Sequence, residues 1–168
     1  MLRELPTRKN NRLQGYNYSQ MGYYFITICT KDGHEFFGSI DVGAATCRPF
    51  VRLTDIGKII GESVENINTI YPNVVVDKYV VMPNHIHMLL CVAGLENGRQ
   101  VASPTAVPTI VGNMKRYVSM QCGFSVWQRS YHDYIIRSKP DYQRIWKYID
   151  ENPLKWQEDC YFISKEKG

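Results

Sequence analysis

No stretch of this chain reaches the ~18 consecutive apolar residues of a membrane span, and the opening segment MLRELPTRKNNRLQG carries basic residues without the apolar centre of a secretory signal. These two absences argue against a membrane enzyme and lead to the expectation of a cytoplasmic protein. The five cysteines, Cys29, Cys47, Cys91, Cys122 and Cys160, are odd in number and contain no CxxC pair. Neither a disulfide framework nor a zinc knuckle is therefore expected, and the thiols read as reduced and structural. Internal repeats and low-complexity tracts are missing too. Charge is also sparing: a surplus of four positive charges and a pI near 8.8 lean only weakly towards a polyanionic partner, a bias many ordinary enzymes share.

What is present is enough for one well-buried domain. At 168 residues and 44% hydrophobic, the chain is too short to assume two, so residues 1–168 are read as a single unit with a basic arm over about 1–15 and a short tail over about 153–168. MGYYFITICT, followed by Lys31-Asp32-Gly33, reads as a core strand ended by a turn, and a second strand is expected around Cys47 to Leu53. From Thr54 to Ile70 the apolar residues keep helical spacing, with Thr54 as N-cap and Pro72 beyond the end. VVVDKYVVM and HIHMLLCVA, split by Pro83-Asn84, read as adjacent strands at the centre of a sheet. Gly94 to Pro108 has no periodicity and is expected to be an exposed loop. A helix over about Thr109 to Gln121, the strand-like SVWQRSYHDYIIR and a helix from Asp141 to Glu151 complete the order β, β, α, β, β, α, β, α. That alternation predicts an α+β sandwich of ferredoxin-like (RRM-like) type, an antiparallel sheet with helices on one face.

His85 and His87 are two apart on a predicted strand, so both imidazoles leave the sheet on one side while Ile86 enters the core. They can share a metal ion. A bare HxH is more often ordinary strand polarity, but two of only four histidines here share a face of a strongly apolar strand beside a constrained turn. A histidine-triad hydrolase would need a third alternating histidine where Leu89 stands. In RIWKYIDENP, Tyr148 and Asn152 are four apart on a helix and point the same way. On spacing alone the pair reads as a core aromatic and an ordinary helix-terminal residue before proline.

Taken together, PNHIHMLL, RIWKYIDENP, YNYSQMGYYFITICT, LTDIGKII, VGNMKRYVS and VWQRSYHDYIIR resemble the REP-associated tyrosine transposases. These are HUH single-tyrosine enzymes of small bacterial insertion sequences. The resemblance runs from roughly Arg12 to Trp156 with the motifs in order. It implies an HUH endonuclease fold, His85 and His87 as metal ligands, Tyr148 as nucleophile and Asn152, where some relatives carry glutamine, as a third ligand. It also implies Mg2+ or Mn2+ as the divalent metal, and a single-stranded or hairpin DNA substrate, either a repetitive extragenic palindrome or an element end. The implied reaction cleaves and rejoins that DNA through a 5′-phosphotyrosine, by a protein that acts as a monomer or a homodimer.

Tyr131 is the competing nucleophile, with His132 and Asp133 next to it as candidate base or DNA-facing groups. Arg3, Arg8, Lys9 and Arg12 form a basic arm, and Lys115 with Arg116 a helical patch, both suited to phosphates. Tyr16 and Tyr18 offer candidate stacking surfaces among twelve tyrosines. Two other readings compete: a ferredoxin-like module that binds nucleic acid without cutting it, and an HUH nickase of plasmid replication or transfer, whose usual helicase or primase regions this chain has no room for.

Overall fold

The computed structural model describes residues 13–42, 48–96, 99–100 and 105–164. Its strands are β1 (Gly22–Cys29), β2 (Gly38–Asp41), β3 (Phe50–Leu53), β4 (Val74–Val81), β5 (His85–Val92), β6 (Leu95–Glu96), β7 (Arg99–Gln100) and β8 (His132–Ile136). The helices are α1 (Asp55–Glu65), α2 (Ile67–Ile70), α3 (Val107–Cys122) and α4 (Lys139–Glu151), and a 3-10 turn over Asn152–Glu158 follows α4. No described helix is long and apolar enough to cross a membrane.

The central sheet has the order β4-β5-β1-β8, antiparallel throughout. Alternation along β5 divides its side chains between two environments. Ile86, Met88, Leu90 and Val92 enter the main core with Ile60 and Val64 of α1 and Val107, Ile110, Val111, Met114 and Val118 of α3. Leu89, on the other face, packs with Ile136 of β8 and Ile145 and Ile149 of α4. The expectation of helices on one face therefore holds for α1 and α3, whereas α4 crosses the opposite face, the face of His85 and His87. An apolar stripe on α4 makes this favourable: Ile145 and Ile149, one helical turn apart, cover a small second cluster.

The helix ends follow their sequence signals. Thr54 accepts a hydrogen bond from Gly57 N at 3.1 Å and Ser138 from Asp141 N at 3.3 Å, each tying down a donor the helix itself leaves unpaired. Gly123 ends α3 in the left-handed region at φ 75°. Both α3 and α4 start two residues earlier than expected because Pro108 and Pro140 sit in the first turn, where a missing N–H costs nothing.

Four local expectations are corrected. The helix expected to run from Thr54 to Ile70 divides at Asn66 into α1 and the short α2. The strand expected around Cys47 to Leu53 is described from Phe50, with Cys47 outside the described residues, and it pairs with β2 in a separate hairpin rather than joining the central sheet. The loop expected from Gly94 to Pro108 contains the small β6-β7 ladder. Of SVWQRSYHDYIIR, only His132–Ile136 is a strand, because Trp127 forms an isolated bridge to Thr30 instead.

Candidate metal and nucleophile site

The sequence Pro83-Asn84 turns the chain at one end of the sheet, and backbone bonds pin that turn from three sides: Phe37 N to Pro83 O at 3.0 Å, Thr30 N to Asn84 O at 2.9 Å and Met82 N to His85 O at 2.8 Å. His85 and His87 therefore leave β5 in fixed directions, both almost fully buried beneath α4 and the tail. Their Nε2 atoms stand 3.0 Å apart. The outer nitrogens are held as well. His85 Nδ1 lies 2.9 Å from Asn84 Oδ1, and His87 Nδ1 lies 2.8 Å from Thr27 Oγ1 on the neighbouring strand.

These partners determine the tautomers. An amide oxygen can only accept, so His85 Nδ1 carries the hydrogen and its Nε2 presents a lone pair towards His87. A threonine hydroxyl can donate or accept, which lets His87 present either form. Burial pushes His85 down to about 4, partly opposed by the nearby Asp159 charge and by Asn152. It pushes His87 well below its ordinary value too, with His85 adding to the effect. At neutral pH both rings are uncharged, the state in which imidazole ligates metals.

Tyr148 lies on the sheet-facing side of α4, where the anchoring of Ile145 and Ile149 carries its partly exposed ring over the histidines. Its ring lies 5.2 Å from that of His87 and 6.0 Å from that of Phe25, and Phe25 also stacks on His87 at 5.1 Å. The Tyr148 hydroxyl donates to Asp159 Oδ2 at 3.3 Å. Burial and then the Asp159 charge raise its pKa above that of an ordinary tyrosine, so the group is a neutral phenol. Asn152, one turn on, is buried; its Nδ2 donates to the same Asp159 oxygen at 2.7 Å, and its Oδ1 has no hydrogen-bond partner.

Asp159 is the member that sequence reasoning missed. It lies outside every recognisable spacing, and only the fold of the tail brings it in: instead of extending away, Asn152–Glu158 winds into a 3-10 turn and buries Trp156. One ligand atom each from His85, His87 and Asp159 lie within 4.8 Å of one another. Tyr161 closes the other side, its ring 4.6 Å from that of His85 and its carbonyl accepting from Asn84 Nδ2 at 2.7 Å.

The remaining candidates are scattered. Tyr131 is buried in the main core cluster and not beside the histidine pair, and Tyr18 is likewise a core residue, its hydroxyl donating to Asp133 Oδ2 at 2.6 Å. Tyr16 packs edge-on against Tyr18 and Tyr24. His132 is exposed on β8 directly opposite Thr27, and so on the same sheet face as His87. Lys115 and Arg116 do not act as a pair. Adjacent helical residues diverge, and Lys115 Nζ donates to the carbonyls of Gln128 at 2.7 Å and Arg129 at 3.2 Å, while Arg116 stays exposed. Arg3, Arg8, Lys9 and Arg12 lie outside the described residues.

No known protein-family profile matches the chain. A Haemophilus influenzae protein of uncharacterised function is 32% identical over 174 residues, covering 93% of each sequence. Among solved structures, a REP-associated tyrosine transposase bound to a REP hairpin superposes with a TM-score of 0.60 at 19% identity, covering 86% of this chain and 74% of that one. A candidate transposase from Deinococcus radiodurans R1 overlaps more loosely, with a TM-score of 0.46 at 18% identity over 83% of this chain and 95% of that one. The chain thus belongs to the family of the Haemophilus influenzae protein and has the HUH transposase fold seen in the REP-associated enzyme.

Proposed function

We propose that this protein is a metal-dependent tyrosine transposase and single-strand endonuclease that cleaves and rejoins hairpin-bearing DNA through a 5′-phosphotyrosine. The observation that carries the reading is the convergence of a tyrosine hydroxyl, two neutral buried imidazoles, a partnerless amide oxygen and a carboxylate around one point.

The donor set fits a divalent cation. Two Nε2 atoms 3.0 Å apart cannot both present lone pairs without a proton or cation between them, and the buried Asn152 Oδ1 lacks any other partner. His85, His87, Asn152 and Asp159 would hold the ion, and two imidazoles with two oxygens suit Mn2+ at least as well as Mg2+. Bound there, the ion would supply positive charge for the scissile phosphate.

The chain's own residues then account for the rest. Tyr148 Oη attacks phosphorus as the bond from phosphorus to the 3′ oxygen breaks; the electron pair leaves on that oxygen, which takes up a proton to become a free 3′-hydroxyl. Asp159 Oδ2, already the hydrogen-bond acceptor of Tyr148, receives the tyrosine's proton. Asn84 and Thr27 fix the imidazoles from behind. Reversal with a different 3′-hydroxyl rejoins strands with no external energy source, since the phosphodiester is exchanged and not hydrolysed. We assign phosphate contacts to the basic arm of Arg3, Arg8, Lys9 and Arg12 and to Arg116, with Lys115 contributing through the segment it holds.

Incubation with hairpin-bearing single-stranded DNA and Mn2+ or Mg2+ should yield a protein–DNA adduct that survives denaturation, and Tyr148→Phe should abolish it. An adduct that persists in Tyr148→Phe but disappears in Tyr131→Phe overturns the nucleophile assignment. Binding without any adduct favours the non-catalytic alternative.

A further inference from the structure

The proposed reaction gives the tyrosine's proton a destination, Asp159, but leaves the proton that the 3′ oxygen takes up without a source. In phosphoryl transfer the attacking and leaving oxygens stand roughly in line, so a donor for the leaving oxygen has to lie across the phosphate from Tyr148. Tyr148 comes from α4, which packs chiefly on β4 and β5, and its ring lies 5.2 Å from that of His87. The strand register leads to the opposite side. His87 on β5 stands opposite Thr27 on β1, and Thr27 opposite His132 on β8. Directly opposed residues share a sheet face, and the Thr27 hydroxyl, 2.8 Å from His87 Nδ1, marks this face as the one that carries the site. Two strand spacings separate the His87 and His132 backbones by roughly 10 Å, a gap that a phosphate held between the two imidazoles bridges. His132 is exposed, and it shares a cavity wall with Asn84 and Tyr161, both of which touch His85.

On the reading of the neighbouring site as a tyrosine-dependent cleavage centre, we infer that His132 is the general acid of the cleavage step and the general base of the rejoining step. The other groups on that side are less suited. Arg129, in the same wall, does not give up a proton, and the Trp127 indole N–H is engaged with Lys115 O at 3.1 Å. Asp133 alternates to the other face, where its Oδ2 accepts from Tyr18 of the main core. Lys31 lies beyond the end of β1. Imidazole is the side chain best able to give a proton in one direction and take it back in the other near neutral pH. As the bond from phosphorus to the 3′ oxygen breaks, the electron pair stays on that oxygen. The His132 imidazolium passes it a ring proton, leaving a 3′-hydroxyl and a neutral imidazole. In rejoining, that imidazole takes the proton of the attacking 3′-hydroxyl while Asp159 returns its proton to Tyr148, so a full cycle restores both carriers. One nucleophile is then served by two proton carriers, one on each side of the phosphate.

A leaving group that needs no proton provides the test. Two hairpin oligonucleotides are compared, one ordinary and one with sulfur in place of the 3′ oxygen at the phosphate that the wild-type protein cuts, so that a thiolate departs without an acid. In His132→Gln, which keeps a polar residue at an exposed position of β8, adduct formation on the ordinary oligonucleotide should slow about a hundredfold, whereas on the sulfur one it should stay within about twofold of wild type. The sulfur substrate also reports that the variant is folded. Equal slowing on both substrates overturns the acid role and reduces His132 to a binding contact. No slowing on either overturns it outright, as does the substrate-dependent pattern in Lys31→Gln or Tyr161→Phe in place of His132→Gln. A wild-type protein that forms no adduct with either oligonucleotide ends the cleavage reading, and the acid role with it.

Discussion

Acid should destabilise the metal-free protein well before its carboxylates titrate. The perturbation is a pH change from 7.5 to 5 in the presence of a chelator. His85 binds a proton near 6.5 when unfolded but only near 4 when folded, because burial disfavours its charged form. Its folded pKa is depressed, so the unfolded state takes up the proton first, and stability falls as pH drops below 6.5 and levels off below about 4. Integrating between those two values, the loss from His85 alone is about 2 kcal/mol at pH 5 and about 3 kcal/mol at pH 4. His87 is shifted the same way and adds to it. For a chain of this size, about 2 kcal/mol lowers Tm by roughly 4–8 °C. Asp141, Asp150 and Glu151, whose pKa values ion pairs lower, lose their contributions only at more acid pH and leave this window clear. Thermal melts of wild type and His85→Asn across the range provide the assay. The variant should show a visibly shallower slope between pH 6.5 and 5. Equal slopes, or a wild-type Tm that does not move, would refute the argument that His85 is buried as a neutral ring.

Three further outcomes are expected. Adding Mn2+ to chelator-treated protein should raise Tm, by mass action about 2.7 kcal/mol at a hundredfold excess over Kd, and His87→Ala should remove the response; an unchanged melt in the wild type counts against the metal site. Ile149→Ala, in the cluster of Leu89, Ile136 and Ile145, should cost about 2–5 kcal/mol in denaturant unfolding, and a loss below about 1 kcal/mol would mean that α4 is not anchored there. Trp156→Ala should weaken the Mn2+ response more than Leu154→Ala does, because Trp156 is buried beside His85 and seats the turn that presents Asp159, whereas Leu154 is exposed; equal responses would detach Asp159 from the site.

How far these features could be read from the chain depends on whether each rests on local or distant contacts. The face of His85 and His87 follows from strand alternation and is fixed by a two-residue period, and Tyr148 with Asn152 follows from helical spacing in the same way. Which face α4 covers could not be read locally, since that depends on Leu89 and Ile136 offering Ile145 and Ile149 a second cluster. The pairing of β2 with β3 escaped because Gly38–Asp41 is short and only partly buried, without the apolar run that marks a core strand. Lys115 and Arg116 looked like one patch because they are neighbours in sequence. Lys115 is drawn instead to the carbonyls of a segment more than ten residues away. Asp159 is the clearest case of tertiary information: no spacing rule points to it, and its place depends on Trp156 finding a buried seat against Phe162 at a ring separation of 5.3 Å.

Burial governs the charge of the site's ionisable groups, and it acts in opposite directions on the two chemistries present. Imidazole loses its proton on burial and phenol keeps its own, so the same enclosure leaves His85 and His87 uncharged and holds Tyr148 protonated. A site designed to ionise its tyrosine in advance would place a cationic side chain against the hydroxyl. Here its hydrogen-bond partner is the Asp159 carboxylate, which opposes ionisation while offering a place for the proton. Under the proposed function, attack by Tyr148 and proton transfer to Asp159 would then be concerted, with positioning taking the place of prior ionisation. The histidine pair is prepared in a similar way: with Thr27 donating to its Nδ1, His87 can donate its Nε2–H to His85 Nε2 across 3.0 Å, while Asn152 Oδ1 stays without a partner beside the Asp159 carboxylate. Under the proposed function a divalent cation would take the place of that shared proton between the imidazoles and complete Asn152 Oδ1, so the fold holds the donors in position before the ion arrives.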